Sequence, residues 1–401
     1  MADHVFDGLK VVDAATVIAA PAAAMILADF GADVIKVERP GRGDMLRSLS
    51  PVQAPHEAGN GWFWQMDARN KRSLTLDLKT EGGMDVMRRL IATCDVFITN
   101  QPYDSREAMK LTYEDLKPSN PRMIYASLTA YGERGAERNR KSFDQLAYWA
   151  RSGLMDLMRE RGTTPTQGLP GMGDHPTGVA LYASIVTALL RREQTGEGGM
   201  VHTSLLANGL WSASGIAGAV VAGGDMEHYR TSHLRSAMMR VYQAGDGRWL
   251  QLNMVRNDEL LARMFAAMDA AHILADERFA TPRDMWRNRA ALGDAIAEII
   301  AMRTSDEWLE AFGSLDVPVN RVAVVEETAT DEQVLANAMS VRPEDGENRL
   351  TRVLTHPVNG TSVPPVAAKR APRLGEHSTE ILAELGYDAE AIRAMAQAGV
   401  T

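Results

Sequence analysis

The chain has 401 residues, with 43 Lys and Arg against 52 Asp and Glu, for a formal net charge of −9. That acidic excess argues against a nucleic-acid-binding protein while leaving room for a local basic pocket around an anionic ligand. A single cysteine, Cys94, excludes an intrachain disulfide and a zinc site built on paired cysteines. The opening "MADHVFDGLK" lacks the basic-then-apolar order of a signal peptide. The most apolar stretch, "ATVIAAPAAAMILADFGADVI", is broken by Pro21, Asp29 and Asp33, and "GIAGAVVAGG" is too short to span a bilayer. The expectation is a soluble cytoplasmic protein.

The first part of the chain alternates. "LKVVDAA" reads as a buried strand, and "PAAAMILADFGA" as a helix with Pro21 near its first turn and Gly31 as its stop. "DVIKVE" and the β-branched "RSLTLDLK" are the next strands. "TEGGMDVMRRLIATC" is a helix with Thr80 as N-cap. "DVFITN" makes a fourth strand and "RMIYASLTAYG" a fifth, after a helix around "YEDLKPSN". Such alternation predicts an α/β fold on a mainly parallel sheet.

From Phe143 the pattern turns helical, through "FDQLAYWARSGLM", "TGVALYASIVTALLRREQ" and "SLLANGLWSASGIAG". Near Gly223 it changes again: "RVYQAGDGRWLQLNM" reads as a hairpin about "GDG", followed by helical runs as far as "SDEWLEAFGS". The predicted organisation is a large domain over residues 1–222, a small domain over 223–316, and a C-terminal segment, 317–401, that returns to the large domain. That last segment includes a strand at "VPVNRVAVVEE" and a helix at "HSTEILAELG".

Several familiar sites are missing. No G-x-G-x-x-G follows the first strand, and no G-x-x-x-x-G-K-[ST] occurs, so an ordinary NAD or ATP cradle is not expected. There is no G-x-S-x-G elbow. His228 and His233, the closest histidine pair in the chain, do not have the spacing of a helical metal site, and no metal is expected. "PGRGDMLR", with Arg39 just before it, reads either as a solvated turn or as a site for a phosphorylated ligand.

The densest cluster is "PGMGDHPTG", Pro170 to Gly178, just before a long helix. Asp174 there is either a helix-capping residue or a carboxylate held in a glycine turn as a nucleophile. In the second reading the glycine N–H groups are candidate oxyanion donors, and His175 competes as a general base.

Taken together, "GLKVVDAATVIAAP", "LADFGADVIKVERPGRGDMLR", "NKRSLTLDLKT", "CDVFITN", "PRMIYASLTAYG", "GMGDHPTGVALYASIVTALLRREQTGEG" and "RAPRLGEHSTEILAELGY" resemble the class III CoA-transferases, the family of formyl-CoA transferase and the carnitine-type enzymes. The resemblance runs from about Gly8 to about Tyr387. It implies a Rossmann-like large domain built from both chain ends, a smaller α+β domain between them, and an interlocked homodimer. It also implies coenzyme A and acyl-CoA as substrates, a free carboxylic acid as the second substrate, and no permanently bound cofactor.

By the same resemblance Asp174 is the nucleophile, and His175 is not required. Val17 and Ile18 match backbone contacts to CoA, Arg39 the adenine end, Leu76 and Lys79 the adenosine and phosphates, Asn100 the Asn of an N-F-x-P loop, and Lys141 a Lys near the pantetheine. Gln101 stands where Phe is usual. Ala108 stands where the family has an Arg, with Arg106 just before it. The glycine-rich lid of formyl-CoA transferase has no clear match. The related α-methylacyl-CoA racemases need a His where this chain has Phe143, which disfavours α-proton exchange. A CoA-binding protein without catalysis is the remaining alternative.

Overall fold

Six parallel strands form the central sheet: β1 Lys10–Asp13, β2 Asp33–Glu38, β3 Arg72–Thr75, β4 Val96–Thr99, β5 Ile124–Thr129 and β6 Gly199–Ser204. The computed structural model describes residues 3–49, 61–159, 162–227, 236–253, 257–346 and 351–401. Strand order is β3-β2-β1-β4-β5-β6, so the winding direction reverses between β1 and β4. In such doubly wound sheets a crevice opens there, beyond the carboxyl ends of the strands. β6 is the strand that the sequence pattern did not separate from its helical surroundings. It is a half-buried edge strand between two helices, so neither a long apolar run nor turn residues on both sides mark it.

The helices of this part are α1 Ala19–Asp29, α2 Trp62–Asp67, α3 Glu81–Thr93, α4 Tyr103–Ala108, α5 Tyr113–Leu116, α6 Leu154–Met158, α7 Asp174–Thr195, α8 Leu205–Ser212 and α9 Ser214–Val221. Thr80 does cap α3, accepting from the Gly83 N–H. One face of the sheet packs Val11, Val34, Ile98 and Ala126 against Ala23, Ala24 and Leu27 of α1 and Leu181 and Ile185 of α7. The other packs Val12, Leu74, Phe97 and Tyr125 against Val86, Leu90 and Ile91 of α3 and Ile381 and Leu382 near the C-terminus. Burial on both faces explains the continuous apolar runs of the strands.

Two compact units divide the chain: Met1–Ala222 with Gln333–Thr401, and Gly223–Glu332. The second has its own core around Leu250, Phe265, Ile296 and Trp308. Its sheet pairs β7 Val241–Gln243 with β8 Trp249–Leu252, and β8 with β9 Val319–Arg321, all antiparallel. This moves the expected boundary at 316. Residues 317–332 stay with the second unit because the "VNR" strand completes that unit's sheet rather than leading back to the first.

α1 and α7 meet through their first turns. A Cβ on Gly178 would stand 2.6 Å from the Ala19 carbonyl oxygen and 3.0 Å from Ala22 Cβ, so only glycine permits this approach. Gly178→Val is therefore expected to cost ~1–3 kcal/mol of stability by overpacking the crossing. Urea unfolding measures it, and an unchanged midpoint would contradict the close approach.

Candidate active site

The parallel sheet carries most of the expected CoA-contact positions to one edge. Val17 and Ile18 follow β1, Arg39 follows β2, Leu76 and Lys79 follow β3, and Asn100 follows β4, all beyond carboxyl ends of strands. Arg39 and Lys79 are exposed, as a phosphate contact requires. Leu76 is only 2% exposed, and its side chain packs in the core. Lys141 is outside this row; it is exposed in the loop that leads to Asp144.

The turn after β1 is held from below by buried charges. Asp13, Lys36 and Lys71 are all buried, with Lys71 Nζ 2.9 Å from Asp13 and Lys36 Nζ 3.7 Å from Asp13 and 3.2 Å from Asp44. Lys36 also donates to the Ala15 carbonyl. The Asp44 carboxylate accepts from the Val17 N–H at 3.1 and 3.2 Å and from the Leu46 N–H at 3.0 Å. Val17 sits at φ 67°, which is rare for a β-branched residue and persists only where its surroundings over-determine it. Asn100 closes the turn from the other side: its Oδ1 accepts from the Thr16 N–H at 3.0 Å, and its Nδ2 donates to the Thr16 carbonyl at 2.7 Å. Asn100 thus braces the turn with both ends of its amide.

Neither Asp44 nor Lys36 was singled out by the sequence pattern: the loop "PGRGDMLR" stood out for its arginines and "DVIKVE" as a strand. Arg106, just before Ala108, is buried, 2.8 Å from Glu133 and 3.2 Å from the Tyr125 hydroxyl.

The glycine turn arrives at the same edge. A Cβ on Gly171 would lie 3.6 Å from Ile18 Cδ1, so turn and βα loop are neighbours. Asp144, just before the π-helical turn Gln145–Ala150, organises it. Its carboxylate accepts from the Gly171 N–H at 2.9 Å, the Gly173 N–H at 3.3 Å and the Gln145 N–H at 2.8 Å. The N–H groups expected as oxyanion donors at Gly171 and Gly173 are therefore already committed. Gly173 also has the Tyr148 ring against it, 2.6 Å from where a Cβ would stand.

Asp174 opens α7 and is 9% exposed. Its carboxyl accepts no hydrogen bond from the described residues, so it is not the capping residue that its place in sequence allowed; Asp144 ties down the turn instead. His175 Nδ1 lies 3.0 Å from the Gly171 carbonyl oxygen and Nε2 3.1 Å from Asp67 Oδ1, with Asp67 at the end of α2. Nothing in the sequence pattern signalled Asp67. His228 and His233 lie outside the described residues. Among those described, no group of three or more His, Cys, Asp or Glu side chains could hold a metal ion, and no helix is long and apolar enough to cross a membrane.

The family model for CoA-transferase family III matches residues 6–378. The chain belongs to that family. It is 30% identical to the (R)-2-hydroxy-4-methylpentanoate CoA-transferase of Clostridioides difficile, with 96% of each chain covered. It is also 30% identical to the succinyl-CoA:glutarate CoA-transferase of Homo sapiens, over 98% of this chain and 89% of that one. The crystal structure of a CAIB/BAIF family protein from Brucella suis superposes with a TM-score of 0.82 at 29% identity, over 96% of this chain and all of the other. This protein is a class III CoA-transferase, and it moves CoA between acyl-CoA thioesters and carboxylic acids.

The electrostatics of this CoA-transferase centre on Asp174. Burial and then the Asp144 charge push its carboxyl up from 3.8 to about 7, with Asp67 adding and His175 opposing. Burial works against a charged His175, but the hydrogen bond and charge of Asp67 outweigh it and hold the ring above its ordinary value. In the sheet below, burial alone would raise Asp13, yet Lys36 and Lys71 keep it low.

A raised carboxyl has a definite stability sign. The unfolded chain releases the Asp174 proton near 3.8 and the native chain near 7, so stability falls as pH rises between the two and the cost is complete above 7. With 1.36 kcal/mol per unit, Asp174→Asn should stabilise the protein by at most roughly 4 kcal/mol at about pH 8. The gain should vanish toward about pH 4. Thermal unfolding at the two pH values checks this; a gain that does not depend on pH would contradict it.

Proposed function

We propose that transfer runs through covalent intermediates on Asp174. The Asp174 carboxylate attacks the donor thioester carbonyl, giving a mixed anhydride and expelling CoA thiolate. The thiolate attacks the aspartyl carbonyl of the anhydride, releasing the donor acid and leaving an aspartyl-CoA thioester. The acceptor carboxylate attacks that thioester, which forms a new anhydride and frees the thiolate again. The thiolate finally takes the acceptor's acyl group as the product thioester and returns the Asp174 carboxylate. Each step exchanges one acyl derivative for another, so the activation of the donor is kept between half-reactions.

One observation carries this reading: Asp174 is a buried carboxyl with no hydrogen-bond partner among the described residues, at the end of the glycine turn whose Gly171 stands against Ile18 of the βα loop. In our reading CoA lies along the strand ends, contacting Val17, Ile18, Arg39, Leu76 and Lys79, near the turn that Asn100 braces, with Lys141 toward its pantetheine. CoA is a substrate here, and no permanent cofactor takes part. The proposed setting is the cytoplasm.

The test is donor-dependent labelling. Incubation with a donor acyl-CoA and no acceptor acid should leave Asp174 acylated, and hydroxylamine should then convert it to a hydroxamate and inactivate the enzyme. Peptide mapping locates the label. Asp174→Ala and Asp174→Asn should lose transfer by several orders of magnitude while still binding CoA. A label on another carboxylate, such as Asp144 or Asp13, would overturn the assignment, and turnover without any label would favour direct transfer in a ternary complex.

The same proposal includes the interlocked homodimer. Support comes from apolar surface on α8 and α9, where Trp211 is 80% and Val221 90% exposed. Interlocked chains bury far more than the ~1,600 Å² of a standard interface and cannot part without partial unfolding. The expected mass in native light scattering is that of two chains and does not fall on dilution; a reversible monomer at micromolar concentration would count against interlocking.

A further inference from the structure

We propose that Asp67 and His175 are positioning residues: together they hold an imidazolium beside the Asp174 carboxylate and so keep the proposed nucleophile anionic. This rests on the reading of Asp174 given above. Neighbouring side chains on a helix do not face one another, so being next in sequence does not by itself place the His175 ring usefully. Two fixed partners place it. The Gly171 carbonyl, 3.0 Å from Nδ1, can only accept, which requires a proton on Nδ1. Asp67 Oδ1, 3.1 Å from Nε2, is then met by a second N–H if the ring is an imidazolium, and by a lone pair if it is neutral.

The Asp67 carboxyl is wholly buried, and its other oxygen, Oδ2, has no hydrogen-bond partner among the described residues. A buried carboxylate left in that state relies on the one cation it touches. The Asp67 charge also acts on Lys71, but that ammonium is already bound to Asp13 and the Pro21 carbonyl. The couple therefore links the end of α2 to the first turn of α7 through a proton shared between Asp67 and His175.

The groups around Asp174 show what that proton does. The charges of Asp144, on the preceding segment, and of Asp67, at the end of α2, both oppose its ionisation. The Tyr148 ring lies against Gly173 beside it. Among the described residues only His175 favours the ionised form. A nucleophile that must be anionic, under the charges of two other acids, depends on this ring being charged.

The experiment compares kcat/KM against pH for the wild type, His175→Gln and Asp67→Asn. The acid limb of the profile reports the ionisation of the free enzyme's nucleophile. In His175→Gln the limb should move to higher pH by about one unit, with the alkaline plateau near that of the wild type. Asp67→Asn should shift it in the same direction by less, because that change removes an opposing charge along with the support of the ring. A structural role would lower the whole profile without moving the limb, and that result overturns the proposal.

A second readout does not depend on activity. The His175 ring, followed by NMR, should remain doubly protonated at neutral pH in the wild type and become neutral there in Asp67→Asn; a neutral ring in the wild type overturns the couple. The two failures can be told apart. If the acyl label leaves Asp174, the reading of the nucleophile fails. If the label stays on Asp174 and the limb does not move, only the role of His175 and Asp67 fails.

Discussion

The turn after β1, at the carboxyl ends of the strands, depends on burying four charges beneath it. Asp13, Lys36, Lys71 and Asp44 lie under the loop after β1, and they replace the glycines that other doubly wound proteins place there. A glycine loop reaches unusual backbone angles by having no side chain to clash. This loop reaches them with Val17, and strain in that residue is offset by the Asp44 carboxylate on its N–H and by Lys36 on the Ala15 carbonyl. Such a set works only when complete. Removing one partner of a buried ion pair typically costs ~3–5 kcal/mol, because the other charge is left without compensation. Asp44 also accepts from Leu46, and its own N–H donates to Glu38, which Arg47 grips at 2.6 Å, so the chain after β2 belongs to the same arrangement.

The second constraint is the opposite in kind. Asp144 gathers three N–H groups and fixes the glycine turn, whereas Asp174 is left without a hydrogen bond among the described residues, although the two carboxyls serve the same short segment. One acid is spent on structure and the other is kept costly.

Much of this was legible from the sequence, for physical reasons. A parallel strand covered on both faces is mostly apolar, so "LKVVDAA", "DVIKVE" and "DVFITN" declare themselves even with Asp13, Lys36 and Glu38 buried among them. Thr80 was legible as a cap because capping is local chemistry. β6 was not, because a half-buried edge strand next to a long helix has neither continuous apolarity nor flanking breakers. The end of the second unit was missed because β9 joins a sheet whose other strands lie some seventy residues earlier, a pairing that no local pattern encodes. In the site, the glycine turn and Asp174 stood out by composition. Asp67 did not: it meets His175 from a position 108 residues away, and only the fold joins them. Asp144 was visible as an acid, but its bonds to Gly171 and Gly173 cross 27 and 29 residues.

The interruption of the first unit by the second has a consequence for synthesis on the ribosome. β3 is completed by residues that emerge last: the Gly375 N–H donates to Ser73 Oγ at 2.9 Å and the His377 N–H to the Ser73 carbonyl at 3.0 Å, while the Asp77 N–H donates to the Val400 carbonyl at 2.8 Å. Ile381 and Leu382 fill the core against Leu74 on the same face. Until residues 333–401 leave the exit tunnel, the part of that face beside Leu74 that α3 does not cover stays open to water and to other nascent chains, even though the intervening unit already has its own core. The chain thus passes the whole synthesis of the intervening unit with part of an apolar surface uncovered, a demand on chaperones that a protein with the same two units in tandem would not make.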